Sequence, residues 1–254
     1  MANYDIIGNV AIVKFARGAK VREKKRIAEA LLKEKKAVTT VLEKTEKFSG
    51  RLRTQATKYL AGEKTKEVLY RENGCLFRLN VDTCYFSPRL AAERLEVAKM
   101  VKKNEDVLVM FGGVAPFAIV IARHSKAARV VSVELGRDCS KYALENVKRN
   151  KLRNVEIVQG DVRRKVPGLG KFDRVVMARP QLKDSFLDIG FKAVRKGGMI
   201  HYYGFYPVEE KDKMISMILA EASRARRQVR ILRVKKAGEI GTKKYRWRVE
   251  MKVD

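Results

Sequence analysis

The sequence predicts an α/β chain: a mostly parallel, doubly wound sheet with an antiparallel edge hairpin, preceded by a small α+β region. Three observations carry this. After about residue 87, β-favouring runs alternate with helical patterns, the rhythm of strand–helix units on one parallel sheet. Before that point, short strands, one cationic helix and a hairpin follow one another, and no β–α–β alternation is read there. The last two strand-like runs, "QVRILRVKKAG" and "KKYRWRVEMKV", adjoin with only a short turn between them, as an edge hairpin does. The boundary places residues 1–86 in the small domain and 87–254 in the larger one.

Each element has a local reason. "DIIGNVAIVKF" reads as two strands around Gly8-Asn9. "KVREKKRIAEALLKEKK" places Ile27, Ala30 and Leu31 at helical spacing with cations on the other face. "VTTVLEK" is strand-like, and "SGRLRTQATKYLAG" reads as a basic loop. Two β-rich runs flank Asn73-Gly74, a turn pair that favours a hairpin. "SPRLAAERLEVAKMVKK" begins with Ser87 as a cap and Pro88 in the first turn, then continues as helix. A strand Val107–Phe111, a glycine-rich turn and a helix follow, then strand "RVVSVEL" and helix "CSKYALENVKRNK". Strands "VEIVQGD" and "FDRVVMARP", helix "DSFLDIGFKAVRKGG", strand "MIHYYGFYP" and helix "EKDKMISMILAEASRA" lead into the edge pair.

Charge and cysteine usage bound the function. Lys plus Arg number 57 against 29 Asp plus Glu, a net charge of +28 carried by folded segments and not by a tail. Such an excess suits a polyanion, because neutralised phosphates release condensed counterions. No run of about 18 uncharged apolar residues is present, so no membrane partner is expected. No secretory signal is read at the start. Cys75, Cys84 and Cys139 are scattered and lack metal spacing, so they read as reduced intracellular thiols, with no metal site. His124 and His201 are the only histidines; the first reads as a surface residue, the second as a packing or hydrogen-bonding one. Tyr202 and Tyr203 read as the core and surface sides of one strand, and Trp247 as the buried face of another.

The stretch "LVMFGGVAPFAIVIAR" carries the chemistry. Gly112-Gly113 end the first strand of the parallel sheet, Glu134 ends the second about 20 residues later, and Asp161 ends the third. Ligands of such sheets sit beyond the carboxyl ends of the strands, where small residues admit a nucleoside and an acid accepts from ribose hydroxyls. The third small position is Ala115 and Pro116 follows, which disfavours a pyrophosphate cradle. A nucleoside without phosphate, S-adenosylmethionine, fits this pattern.

At these residues the chain resembles a known family, the archaeal and eukaryotic type of tRNA guanine-37 N1-methyltransferase. The resemblance runs through "YDIIGNVAIVKF", "YFSPRLAAER", "MFGGVAPFAI", "NKLRNVEIVQGDVRR", "DRVVMARP" and "GGMIHYYGFYP". It implies a tRNA-binding small domain before a Rossmann-like class I methyltransferase domain, acting in the cytoplasm with tRNA as partner and with no obligate protein partner. A further N-terminal domain of longer members is expected to have no room here. The resemblance assigns Glu93 as general base and Arg53 as the cation at the guanine carbonyl. Tyr85, Arg89 and Arg94 become substrate-binding candidates. Phe111, Gly112, Gly113, Glu134, Asp161, Ala178 and Pro180 become cofactor-binding candidates. The chain departs from the family at Val109, where an acid is usual, and at Ala178-Arg179-Pro180, where Asn-x-Pro is usual. A sister family, which transfers the 3-amino-3-carboxypropyl group of the same cofactor in wyosine synthesis, therefore stays open beside the methyltransferase reading. So does a non-catalytic RNA-binding relative.

Overall fold

The structure, a computed structural model, describes residues 3–46, 50–178 and 183–254. Strands β1 (Asn3–Ile7) and β2 (Val10–Lys14) pair antiparallel about Gly8-Asn9. Gly8 holds φ +55°, and a Cβ there would lie 2.0 Å from the Leu69 carbonyl oxygen, so the turn and its close contact both require glycine. Helix α1 (Val21–Glu34) buries Ala28 and Leu31 against the sheet and keeps its cations outward. Strand β3 (Thr40–Lys44) then runs parallel to β2. This is a β–α–β crossover, contrary to the expectation of no such alternation here; its strands are five residues each, too short to impose a rhythm. A second correction concerns "TKYLAG", read as loop: it forms β4 (Thr57–Gly62), antiparallel to β3. Its side chains are mostly solvent-facing, so the apolar alternation that marks a strand is weak there.

Strands β5 (Glu67–Glu72) and β6 (Cys75–Asn80) form the expected hairpin, with Asn73 and Gly74 at φ 46° and 66°. A 3₁₀ turn, Pro88–Leu90, enters helix α2 (Ala91–Met100). Ser87 precedes that turn without a side-chain cap; its carbonyl accepts from the Leu90 amide at 3.3 Å.

The larger sheet follows: β7 (Asp106–Met110), α3 (Pro116–His124), β8 (Arg129–Glu134), α4 (Arg137–Arg149) and β9 (Val155–Gln159). A short α5 (Val162–Lys165) and a 3₁₀ turn lead to β10 (Phe172–Met177), α6 (Leu187–Ala193), β11 (Val194–Pro207), α7 (Lys211–Arg224), β12 (Val229–Gly241) and β13 (Lys244–Val253). The expected helix "DSFLDIGFKAVRKGG" stops at Ala193, because β-branched Val194 begins a strand beside Phe172. The strand order is β12-β13-β11-β10-β7-β8-β9, with β13 antiparallel to both neighbours. The winding direction reverses between β7 and β10, which puts a crevice at their carboxyl ends.

Both faces of this sheet are covered. Val107 and Val109 join the core under α2, α3 and α4, while Leu108 and Met110 join the core under α6 and α7. Each such fully buried aliphatic side chain contributes about 1.5–3 kcal/mol of hydrophobic free energy. The same two-sided burial corrects the tyrosines: Tyr202 and Tyr203 are both buried, one in each core, and neither is a surface residue. The hairpin β5–β6 is bonded to this half through Asn146 of α4 and Asn150 at its C-cap, whose amides serve the backbone of Arg78 and Leu76.

Candidate active site

The carboxyl end of β7 turns sharply. Phe111, Gly113 and Ala115 hold φ of 62°, 56° and 65°. A Cβ on Gly112 would meet Ser132 Oγ at 2.0 Å, so any larger residue would force that serine side chain to move. The Gly112 amide donates to the Val133 carbonyl at 2.9 Å and fixes that approach. Ala115 takes a left-handed conformation at a cost of about 1 kcal/mol. Pro116 opens α3 and removes an amide that a phosphate could use, so this helix start is poorly suited to a pyrophosphate.

Glu134 closes the cofactor side. Its Oε2 accepts from the Gly113 amide at 2.8 Å and its Oε1 from the Gly136 amide at 2.6 Å. Burial raises its pKa above the usual carboxylate range, and these backbone amides oppose the shift. Asp161 caps α5 by accepting from the Arg163 amide, and it also accepts from Arg51 Nη2, each at 2.9 Å. The backbone amide, and then Arg51, hold the Asp161 carboxyl below its ordinary value against the effect of burial. Arg51 reaches it from the small N-terminal half, 110 residues away in sequence. Phe111 packs edge-on against Phe186, with centroids 5.0 Å apart, beside the end of β10. Ala178 follows that strand and faces the same space. Pro180 lies outside the described residues.

These groups line one cavity of about 1230 Å³ between the N-terminal sheet and the larger one. The structure thus brings Phe111, Gly112, Gly113, Glu134, Asp161 and Ala178 together at the switch in winding. A carboxylate lining the crevice, small residues at Gly112-Gly113 and an aromatic wall suit the ribose and adenine of S-adenosylmethionine.

The same cavity is lined by Arg53, Tyr85 and Arg89. The Arg53 guanidinium lies 5.8 Å from the Tyr85 ring centroid, and Arg53 itself holds φ 54°. Arg89 is exposed at the rim and pairs with Asp5 at 3.1 Å. Although Arg94 borders the cavity, its guanidinium donates twice to Glu72 at 2.5 Å and once to the Ser87 carbonyl at 3.0 Å. It is 2% exposed and sandwiched by Phe86 and Phe117. These bonds tie α2 to the β5–β6 hairpin.

Glu93 is set behind the wall. Its Oε1 accepts from the Tyr203 hydroxyl at 2.7 Å and from Arg248 Nη1 at 2.5 Å; its Oε2 is 3.7 Å from Lys235 Nζ. Arg248 is fully buried and also reaches Glu96 and Glu250. Lys235 and Arg248 hold Glu96 at about 2, against the opposing effect of its burial. Tyr203 borders the cavity, so Glu93 meets it through that hydroxyl. Burial, and next the Glu93 carboxylate, push the Tyr203 hydroxyl well up from its ordinary pKa. Sequence reasoning did not find Arg51, Tyr203 or Arg248, because their partners lie more than 100 residues away.

The remaining candidates are structural. His201 Nε2 is 2.6 Å from Arg174 Nη1, and burial, then Arg174, lower its pKa well below the usual value, so the ring is neutral. His124 is exposed and contacts the Asn73 carbonyl. Trp247 is buried and donates to the Tyr206 carbonyl at 2.9 Å. The three cysteines are buried and unpaired by disulfide. Among the described residues, no cluster of three metal-ligating side chains occurs, and no helix is long and apolar enough to cross a membrane.

Comparison with known proteins places this geometry. Residues 1–65 match the TYW2 N-terminal domain. Over 205 residues the chain is 40% identical to the tRNA (guanine(37)-N(1))-methyltransferase Trm5b of Pyrococcus abyssi, covering 81% of this chain and 60% of that enzyme. It is 32% identical to the tRNA (guanine(37)-N(1))/4-demethylwyosine(37)-methyltransferase Taw22 of Nanoarchaeum equitans, over 98% of this chain and 99% of the relative. The crystal structure of wild-type Trm5b from Pyrococcus abyssi superposes with a TM-score of 0.88 at 34% identity, over 99% of this chain and 74% of that one. Residues 68–232, which hold the whole glycine-loop, Glu134 and Asp161 constellation, match the TRM5/TYW2 methyltransferase domain, and the chain belongs to that family.

Proposed function

We propose that the protein transfers the methyl group of S-adenosylmethionine to N1 of guanine 37 in the anticodon loop of tRNA, in the cytoplasm. The observation that carries this reading is that one cavity is lined both by Gly112-Gly113, Glu134 and Asp161 and by the Arg53–Tyr85 pair. In this reading residues 87–254 bind the cofactor and catalyse, and residues 1–86 bind tRNA. S-adenosylmethionine brings a sulfonium-activated methyl group, so no metal is required. Glu134 takes the ribose hydroxyls, Asp161 the adenine side, and the backbone at Gly112 and Gly113 admits the nucleoside. Phe111 and Ala178 form the walls beside it.

Guanine N1 carries a proton and becomes a good nucleophile as that proton leaves. Arg53, with Tyr85 beside it, stabilises the charge that grows on the guanine carbonyl oxygen. Glu93 takes the N1 proton, for which its carboxylate turns from Arg248 and Tyr203 toward the entering base. Arg89 contacts the RNA backbone at the rim. The test is direct: protein, labelled S-adenosylmethionine and unmodified tRNA are incubated, and the RNA is digested for mass spectrometry. 1-Methylguanosine is the expected product. No product, or methylation at another base, overturns the reading.

A second reading rests on a specific observation, the match of residues 1–65 to the TYW2 N-terminal domain, together with Ala178 in place of the family's asparagine. Under it, a 3-amino-3-carboxypropyl group is transferred, and the same digest distinguishes the two by mass.

A further inference from the structure

One face of β11 and β13 is a continuous row of side chains. Cross-strand pairs His201–Glu250, Tyr203–Arg248, Phe205–Arg246 and Pro207–Lys244 stand on the same side, because alternate residues of a strand share a face. The first part of that row is covered by α2, and its charges are matched. Arg248 pairs with Glu93 and Glu96, and the neighbouring strand adds Lys235 and Arg233 to Glu96. The second part runs past α2 into the cavity, where Phe205, Arg246 and Lys244 line the wall. There the matching stops. Among the described residues, no carboxylate forms an ion pair with Arg246 or Lys244. The Arg246 guanidinium instead lies 5.3 Å from the Phe205 ring centroid, a cation–π contact that does not use up its N–H donors. Strand β12 shifts register at Lys236/Gly238 and Glu239/Gly241, which bends the hairpin tip just where Gly238 and Glu239 reach the cavity.

We propose that Arg246 and Lys244 form a phosphate track for the RNA strand beside the target nucleotide, in the cavity that Arg53 and Arg89 also line. This rests on the tRNA reading above and adds a site to it. These cations then add phosphate contacts to the RNA contacts of Arg53 and Arg89, and position the chain without reading sequence.

The test measures affinity for a tRNA anticodon stem-loop at several salt concentrations, for the parent and for Arg246→Gln, Lys244→Gln and their combination. Each single change is expected to weaken binding about tenfold at 50 mM salt and to lower the salt slope by about 0.7–1. S-adenosylmethionine affinity is expected to hold, which reports an intact fold, and Arg246→Lys is expected to restore the slope. Lys236→Gln removes one charge from the opposite face, where Lys236 lies 4.1 Å from the Tyr245 centroid; its slope is expected to stay parental. A parental slope in the combined variant overturns the track while the parent still binds and methylates RNA. An equal loss in Lys236→Gln also overturns it, since net charge alone would explain the effect. A parent that binds no RNA overturns both the track and the tRNA reading.

Discussion

The two halves of the cavity are built in different ways. The cofactor half is local: the glycine loop, Glu134 and Asp161 each sit at the end of a strand, and their main bonds go to backbone amides within about 20 residues. The base-facing half is distant: Glu93 depends on Tyr203 and Arg248, 110 and 155 residues away. A strand end can position a carboxylate by itself. A buried carboxylate on a helix needs partners from whatever packs over it, and their charges must match. Changes in the hairpin β12–β13 are therefore expected to disturb the base-facing half more than the cofactor half.

The largest expected effect tests that division. Glu93→Gln keeps the shape of the side chain and removes its basicity, so the single-turnover rate should fall about 10²–10⁴-fold. Arg53→Ala should lower the same rate about 10²–10³-fold. Cofactor affinity, measured by calorimetry, should hold in both; a parallel loss would mean that the halves are not separable. Next in size is Arg248→Leu. It strands Glu93 and Glu250 in the core without their cation, and denaturant unfolding should report a loss of about 3–5 kcal/mol. Unchanged stability would show that the buried network is not what holds α2 to the hairpin.

The smallest effect sharpens the other half. Glu134→Ala should cost about 1–3 kcal/mol of S-adenosylmethionine affinity. The sign of its pH dependence follows from burial. Because the folded pKa lies above the ordinary range, the ionised form that accepts from ribose is lost earlier on acidification. Cofactor affinity should therefore decline as pH falls, beginning above the usual carboxylate range, and Glu134→Gln should flatten that decline. A pH-independent affinity in the parent would remove the carboxylate from the ribose contact.

What could be read from the sequence follows the same line. Strands β7 to β11 and their helices announce themselves, because apolar runs and turn residues are local signals. Gly112 and Glu134 were legible for the same reason. Strand β4 was not, since its outward side chains leave no apolar alternation, and neither was the end of α6, where pairing with Phe172 and not helix propensity decides the state of Val194. Arg94 shows the limit on the chemical side. Beside "FSPR" it reads as an RNA contact, and only the fold brings Glu72 to it from the preceding hairpin. Glu93 was placed by resemblance, but its bonds to Tyr203 and Arg248 depend on topology.

The bent strand β12 has a consequence beyond the cavity. It is an edge strand of a seven-stranded sheet, 13 residues long, and among the described residues one side of its backbone has no neighbouring strand. A flat strand of that length would offer its free amides and carbonyls to another chain. Here the register slips three times, and Arg230, Arg233, Lys235 and Lys236 punctuate the run. A second copy trying to add a strand would lose alignment at each slip and bring like charges together. The same irregularity that bends the tip into the cavity thus protects the protein from edge-to-edge self-association.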